Sequence, residues 1–219
     1  MLGEDETRAR ALYDLVAADY ARAVPDLGAE TAQDRALIDE LARRTGPGVL
    51  LDVGCGTGRV AAHLAGLGVA VVGADLSGGM LAIARRLHPR LPLVQGSLAR
   101  LPFADGGASG LLSWYSVIHT APDDLPPVVA ELARVVAVGA PLLVAFQCGR
   151  GERVDRANAF GHQVERTNYR HGVDHVAALL GENGVCVVDT VVRPPAAEHE
   201  PTDQAFLLGV REVPGSGGR

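Results

Sequence analysis

The chain has 219 residues, 47% hydrophobic and 21% charged, which matches one soluble globular domain with a full core. Its net charge of −6 argues against nucleic acid or an anionic membrane as partner, since both require a basic footprint, and leaves room only for a small basic pocket. Aromatic residues make up just 4%, so any cluster of them carries weight.

Before Pro25, Ala11, Leu12, Leu15, Val16 and Tyr20 recur at helical spacing from about Asp5 to Val24. Leu37, Ile38 and Leu41 give a second helix from Thr31 to Arg44, closed by "TGPG". From Val49 the rhythm changes. The apolar runs "VLLDV", "VAVVGAD", "LPLVQG", "SGLLSW" and "APLLVAF" alternate with helical stretches near 58–66, 77–88 and 123–137. Short, nearly all-apolar strands separated by helices predict a parallel sheet covered on both faces.

After Phe146 the aliphatics thin out. Residues 147–171 carry Arg150, Arg153, Arg156, Arg166 and Arg170 and are expected to lie outside the core. A helix follows near 173–182, and then "VCVVDTVV" and "QAFLLGVRE", which read as an antiparallel pair. The tail "PGSGGR" is expected to be disordered. Cys55, Cys148 and Cys186 are odd in number and widely spaced, which reads as reduced thiols without a metal site. The acidic start is unlike a signal peptide, and no apolar run nears the roughly 20 residues of a membrane span. A cytoplasmic location is the expectation.

The stretch "LLDVGCGTGR" (50–59) runs a strand into glycines at 54, 56 and 58. Alone it could be a tight strand-to-helix turn. The next strand, however, ends in Asp75, about 20 residues on, where a Rossmann-type fold places an acid on ribose hydroxyls. A nicotinamide dinucleotide fits poorly, because Arg59 stands where the third glycine of GxGxxG belongs. Asp52 would moreover repel a pyrophosphate. An amino-acid-bearing nucleoside fits better, with its ammonium on Asp52 and its carboxylate on loop amides or Arg59.

These residues resemble the first motif of class I S-adenosylmethionine-dependent methyltransferases. "VVGADLSGGML", "QGSLARLPFADG", "SWYSVIHTAPDD" and "ELARVVAVGAPLLVAF" resemble the motifs that follow, in the family's order, over roughly Val49 to Phe146. "YDLVAADY" (13–20) resembles the cap of small-molecule members. The resemblance implies an α/β fold, a Rossmann-like three-layer sandwich. Its mostly parallel seven-stranded sheet would have an antiparallel C-terminal strand and an N-terminal helical cap. Residues 1–213 would form the single domain: cap 1–45, cofactor core 49–146, substrate lid 147–171, and a closing helix and strand pair 172–213. Residues 214–219 would be a flexible tail.

It further implies S-adenosyl-L-methionine as cofactor, S-adenosyl-L-homocysteine as product, and a small-molecule acceptor. The implied cofactor residues are Tyr13, Tyr20, Asp52, Gly54, Cys55, Gly56, Gly58, Arg59, Asp75, Leu76, Met80, Ser97, Leu98, Trp114 and His119. Ser97 departs from the family's usual aspartate at the adenine. Burial of a small side chain is the plainer role for Cys55. Tyr115, His119 and His162 are candidates for the substrate side, and the lid arginines suggest an acidic or phenolic acceptor, or else a solvated charged hairpin. His119 could be a general base, an orienting donor or a pocket wall. A base role requires the rate to rise through a pKa near 6.5 unless the site shifts it. Oxygen, nitrogen and carbon acceptors all stay open. So does a protein of the same fold that binds the cofactor without transferring methyl groups.

Overall fold

The computed structural model describes residues 2–197 and 200–212. Strands β1 (Val49–Val53), β2 (Ala70–Asp75), β3 (Leu93–Gln95), β4 (Gly110–Trp114) and β5 (Pro141–Gln147) are the five apolar runs of the sequence. A hairpin of β6 (Arg153–Arg156) and β7 (Arg166–Tyr169) follows, then β8 (Val185–Arg193) and β9 (Gln204–Arg211). The helices are α1 (Glu4–Ala23), α2 (Ala32–Arg44), α3 (Arg59–Gly66), α4 (Gly78–Leu87), α5 (Leu125–Val135) and α6 (Val173–Glu182).

Seven strands form one sheet in the order β3-β2-β1-β4-β5-β9-β8. Neighbours are parallel from β3 to β5, whereas β9 is antiparallel to both β5 and β8. The expected Rossmann-like layers, mostly parallel sheet and antiparallel late strand are therefore present. Side-chain alternation divides the core between two faces. Leu50, Leu112, Leu143 and Phe206 pack against α2 and α3. Their chain neighbours Leu51, Leu111, Leu142 and Leu207 pack against α5 and α6. Sheet order reverses between β1 and β4, which opens a crevice outside their carboxyl ends.

The 147–171 segment differs from the sequence expectation. It contains the β6–β7 hairpin, and Ala159, Asn168, Tyr169 and His171 are buried. Its core is separate: Ala159 packs with Leu12 and Val16 of α1, with Tyr13, Phe160 and Val164 alongside. "RVDR" and "RTNY" lack the apolar alternation that marks a strand, so only the tertiary setting makes them one. The expected tail at 214–219 lies outside the described residues. Among those residues, no helix is long and apolar enough to cross a membrane.

Candidate active site

Three glycines of the β1–α3 loop have left-handed backbone, with φ of 78° at Gly54, 55° at Gly56 and 79° at Gly58. Their surroundings differ. A Cβ on Gly54 would collide with the Ser116 side chain, and one on Gly58 would press on Leu91, His88 and Ala84. A Cβ on Gly56 would meet nothing within 4 Å. Two glycines therefore serve close packing, while the third turns bare backbone to open space. Cys55 is buried, its Sγ 2.9 Å from where a Cβ on Gly73 would stand, so it fills the gap between the loop and β2.

Two acids face this loop. Asp52, at the end of β1, is 1% exposed, and one of its oxygens has no hydrogen-bond partner among the described residues. Burial pushes its pKa up to about 7, with Arg59 pulling it back and Asp75 adding to the rise. Asp75 accepts the Gly56 N–H at 2.7 Å and the Ser77 N–H at 2.8 Å, which ties the loop to the end of β2. Its pKa is also raised, mainly by burial. A cationic ligand would relieve both carboxylates. This orphaned acid, beside a glycine that faces open space, fits a donor bearing an ammonium and a sulfonium.

Charged groups gather at the other end of the crevice. Arg59 pairs with Glu30 at 2.6 Å, and the Trp114 indole N–H donates to the same Glu30 oxygen at 3.2 Å. Tyr20 lies beside Arg59 and helps hold its charge. Glu30 was not identified from the sequence, where "GAETAQ" carries no signal beyond a polar turn. On the adenine side expected from the sequence, Leu76 and Leu98 are half-buried, and Met80 is buried against Ala17 of α1. Ser97 donates its hydroxyl hydrogen to Glu6 of α1. A carboxylate thus stands beside the serine that replaces the family's aspartate.

Helix α1 closes the crevice from above. Its Asp14 accepts the Ser77 hydroxyl at 2.6 Å and the Gly79 N–H at 2.8 Å, which pins it to the start of α4. Tyr13 lies 2.8 Å from His119 Nε2, and His119 Nδ1 lies 2.8 Å from the Thr167 carbonyl of β7. A carbonyl can only accept, so Nδ1 carries the hydrogen. The neutral ring then presents a lone pair at Nε2, to which the Tyr13 hydroxyl donates. Burial pushes the His119 pKa down to about 4, with Arg166 adding to the fall. The site thus shifts the group away from the 6.5 of a free imidazole.

The hairpin is fastened to α1 at two further points: Tyr169 donates to Asp5 at 2.8 Å, and His162 meets Asp19 at 2.8 Å. Only about 10 Å³ remains free in the seam lined by Asp5, Arg8, Leu12, His119 and Thr167. Tyr115, by contrast, has φ of 56° and packs its ring on Trp114 and Phe206, with Arg193 and Asp34 as charged neighbours. The structure brings Tyr13, Tyr20, His119 and His162 under one cover and does not group Tyr115 with them. Among the described residues, no cluster of His, Cys, Asp or Glu is placed to hold a metal ion.

A family model described as a methyltransferase domain matches residues 50–139, the span from the glycine loop to the turn before β5. A demethylmenaquinone methyltransferase of Beutenbergia cavernae is 36% identical over 146 residues, covering 66% of this chain and 60% of that protein. The chain therefore spans about three fifths of that relative's length. A probable S-adenosylmethionine-dependent methyltransferase of Mycolicibacterium smegmatis is 26% identical, covering 88% of this chain and 82% of the relative. Among solved structures, the magnesium protoporphyrin IX methyltransferase of Synechocystis, with S-adenosylmethionine bound, shares the fold. Its TM-score is 0.72 at 19% identity, over 96% of this chain and 99% of that one. With its ordered motifs, its sheet and its glycine cradle, the chain belongs to the class I S-adenosylmethionine-dependent methyltransferases.

Proposed function

We propose that this protein moves a methyl group from S-adenosylmethionine to a small-molecule acceptor in the cytoplasm, with Tyr13 and His119 handling the acceptor's proton. One observation carries the reading: a cradle suited to a cationic donor shares its crevice with a histidine held neutral. Relatives named for demethylmenaquinone and for magnesium protoporphyrin IX support a small acceptor. Asp52 receives the donor's ammonium, and Arg59 with Tyr20 its carboxylate. Asp75 takes the ribose hydroxyls, while Leu76, Met80, Ser97 and Leu98 border the adenine and Trp114 the methionine arm. When bound, the donor supplies an electrophilic methyl group whose leaving group is neutral.

The chain's own residues then position and deprotonate. Closure of α1 and the hairpin excludes water and holds the acceptor in line, which contributes several kcal/mol. For a hydroxyl acceptor, Tyr13 takes the acceptor's proton as it passes its own to His119 Nε2. The Thr167 carbonyl holds the imidazole in the tautomer that can accept it. With a pKa near 4, His119 is a weak base, suited to an acceptor whose proton leaves late. The test pairs His119→Ala with Tyr13→Phe on an acceptor found by screening phenols, acids and amines with labelled donor. His119→Ala lowers kcat about 10²–10⁴-fold and leaves donor affinity unchanged. Because His119 stays neutral, the wild-type rate is flat from about pH 5.5 to 8 with respect to this group and falls only toward pH 4. A raised KM with unchanged kcat would make His119 a pocket wall.

A further inference from the structure

Alternation along β7 places Arg166 and Asn168 on one face and Thr167 and Tyr169 on the other. The second face is satisfied: Thr167 donates to Asp155 and Tyr169 to Asp5. The first is not. Arg166 Nε and Asn168 Oδ1 are both buried without a hydrogen-bond partner among the described residues. Arg166 makes no ion pair there, although it lies close enough to Tyr13 and His119 to act on both electrostatically. Directly across the hairpin its partner is Arg156, which is exposed and likewise unpaired among the described residues.

Like charges directly opposite each other destabilise a strand pair, and a desolvated guanidinium without a counter-charge is costly. By contrast, the Arg193 guanidinium is neutralised by Asp34 and Glu200. Two facing arginines without a counter-charge among the described residues lack one thing, an oxyanion. Guanidinium forks match the paired oxygens of a carboxylate or phosphate.

We infer that the Arg156–Arg166 face of the hairpin binds an anionic carboxylate or phosphate group of the acceptor and so selects acidic acceptors. This rests on the methyltransferase reading above, because the face adjoins the Tyr13–His119 pair. Arg166 grips the oxyanion beneath the cover and Arg156 meets it at the rim, which fixes how far the nucleophile stands from the donor.

Benzoate, phenyl phosphate and neutral benzamide serve as probes, titrated at constant ionic strength into the full chain, with and without S-adenosylhomocysteine, while Tm is followed. The expected result is saturable stabilisation by benzoate or phenyl phosphate and none by benzamide. The stronger of the two anions identifies the oxyanion type. Arg166→Met weakens that anion at least 10-fold and Arg156→Met several-fold, while Arg166→Lys keeps part of the response. Without any anion, Arg166→Met raises Tm by about 2–4 °C, because an unpaired charge is removed. Equal stabilisation by benzamide would overturn the inference. So would no saturable response to either anion, or unchanged anion affinity in Arg166→Met. Calorimetry with S-adenosylhomocysteine runs in parallel. Its failure would sink the methyltransferase reading alone, since the anion titrations of the unliganded protein stand or fall by themselves.

Discussion

The two halves of the crevice are built differently. On the reading proposed above, the framework of the donor half lies between Asp52 and Ser97 and consists of backbone turns and strand-end carboxylates, with α1, Glu30 and Trp114 joining from elsewhere in the chain. The acceptor half is assembled across the molecule: Tyr13 meets His119, His119 meets Thr167, and Tyr169 meets Asp5. A site made of loop geometry tolerates little substitution but is set by local rules. A site made by docking a helix on a hairpin can exchange its side chains freely, because the scaffold beneath does not depend on them.

Three substitutions on the donor side sharpen this contrast. The largest effect is expected for Gly56→Val, whose side chain would project into open space that nothing else occupies. Calorimetry should show binding of S-adenosylmethionine reduced beyond detection. The φ of 55° costs a branched residue roughly 1–2 kcal/mol, which the fold withstands, so circular dichroism should stay native. Wild-type affinity in this variant would make the loop a mere turn, and the donor half no more specified than the acceptor half.

Asp75→Ala comes next. It removes the acceptor expected for the ribose and also frees the Gly56 and Ser77 amides that Asp75 now holds. Donor affinity should fall by roughly 1.5–3 kcal/mol, about 10- to 150-fold. Asp75→Asn, which keeps a carbonyl oxygen for one amide, should lie between. If both variants bound as wild type does, the ribose assignment would be lost.

On donor affinity the smallest effect belongs to Asp52, whose charge state also shows in the pH dependence of stability. A carboxyl whose folded pKa lies near 7, above its unfolded value near 3.8, stabilises the fold when protonated. That contribution is complete below about pH 4 and is lost as pH rises through 7. Unliganded protein should therefore lose on the order of 2–4 kcal/mol from this group across that window, with Asp75 adding in the same direction. Asp52→Asn should flatten the slope in thermal melts and weaken donor binding above pH 7, where the wild-type group is charged and meets a cation. A slope that persists in the variant would assign it to other groups.

Legibility from sequence followed the same divide. The apolar runs became strands within a residue or two, and the glycine positions proved left-handed, because both depend on local sterics. Glu30, Thr167 and the hairpin strands were not visible. Glu30 is polar residue among polar residues until Arg59 and Trp114 converge on it. Thr167 contributes a carbonyl, which every residue possesses. The roles of Trp114 and Tyr115 could not be separated by their adjacency. A left-handed backbone at Tyr115 turns its ring toward Phe206 and Arg193, and no pattern of residue types announces such a turn.

Helix α1 has a consequence for how the two ligands influence each other. The same 20 residues reach the donor side through Glu6 and Asp14 and the acceptor side through Asp5, Tyr13 and Asp19. One rigid rod cannot lift from one side without disturbing the other. A donor that holds α1 down is therefore expected to raise acceptor affinity, which titration of each ligand with and without the other would measure. Linkage makes this reciprocal: whatever factor the donor adds to acceptor affinity, the acceptor adds to donor affinity.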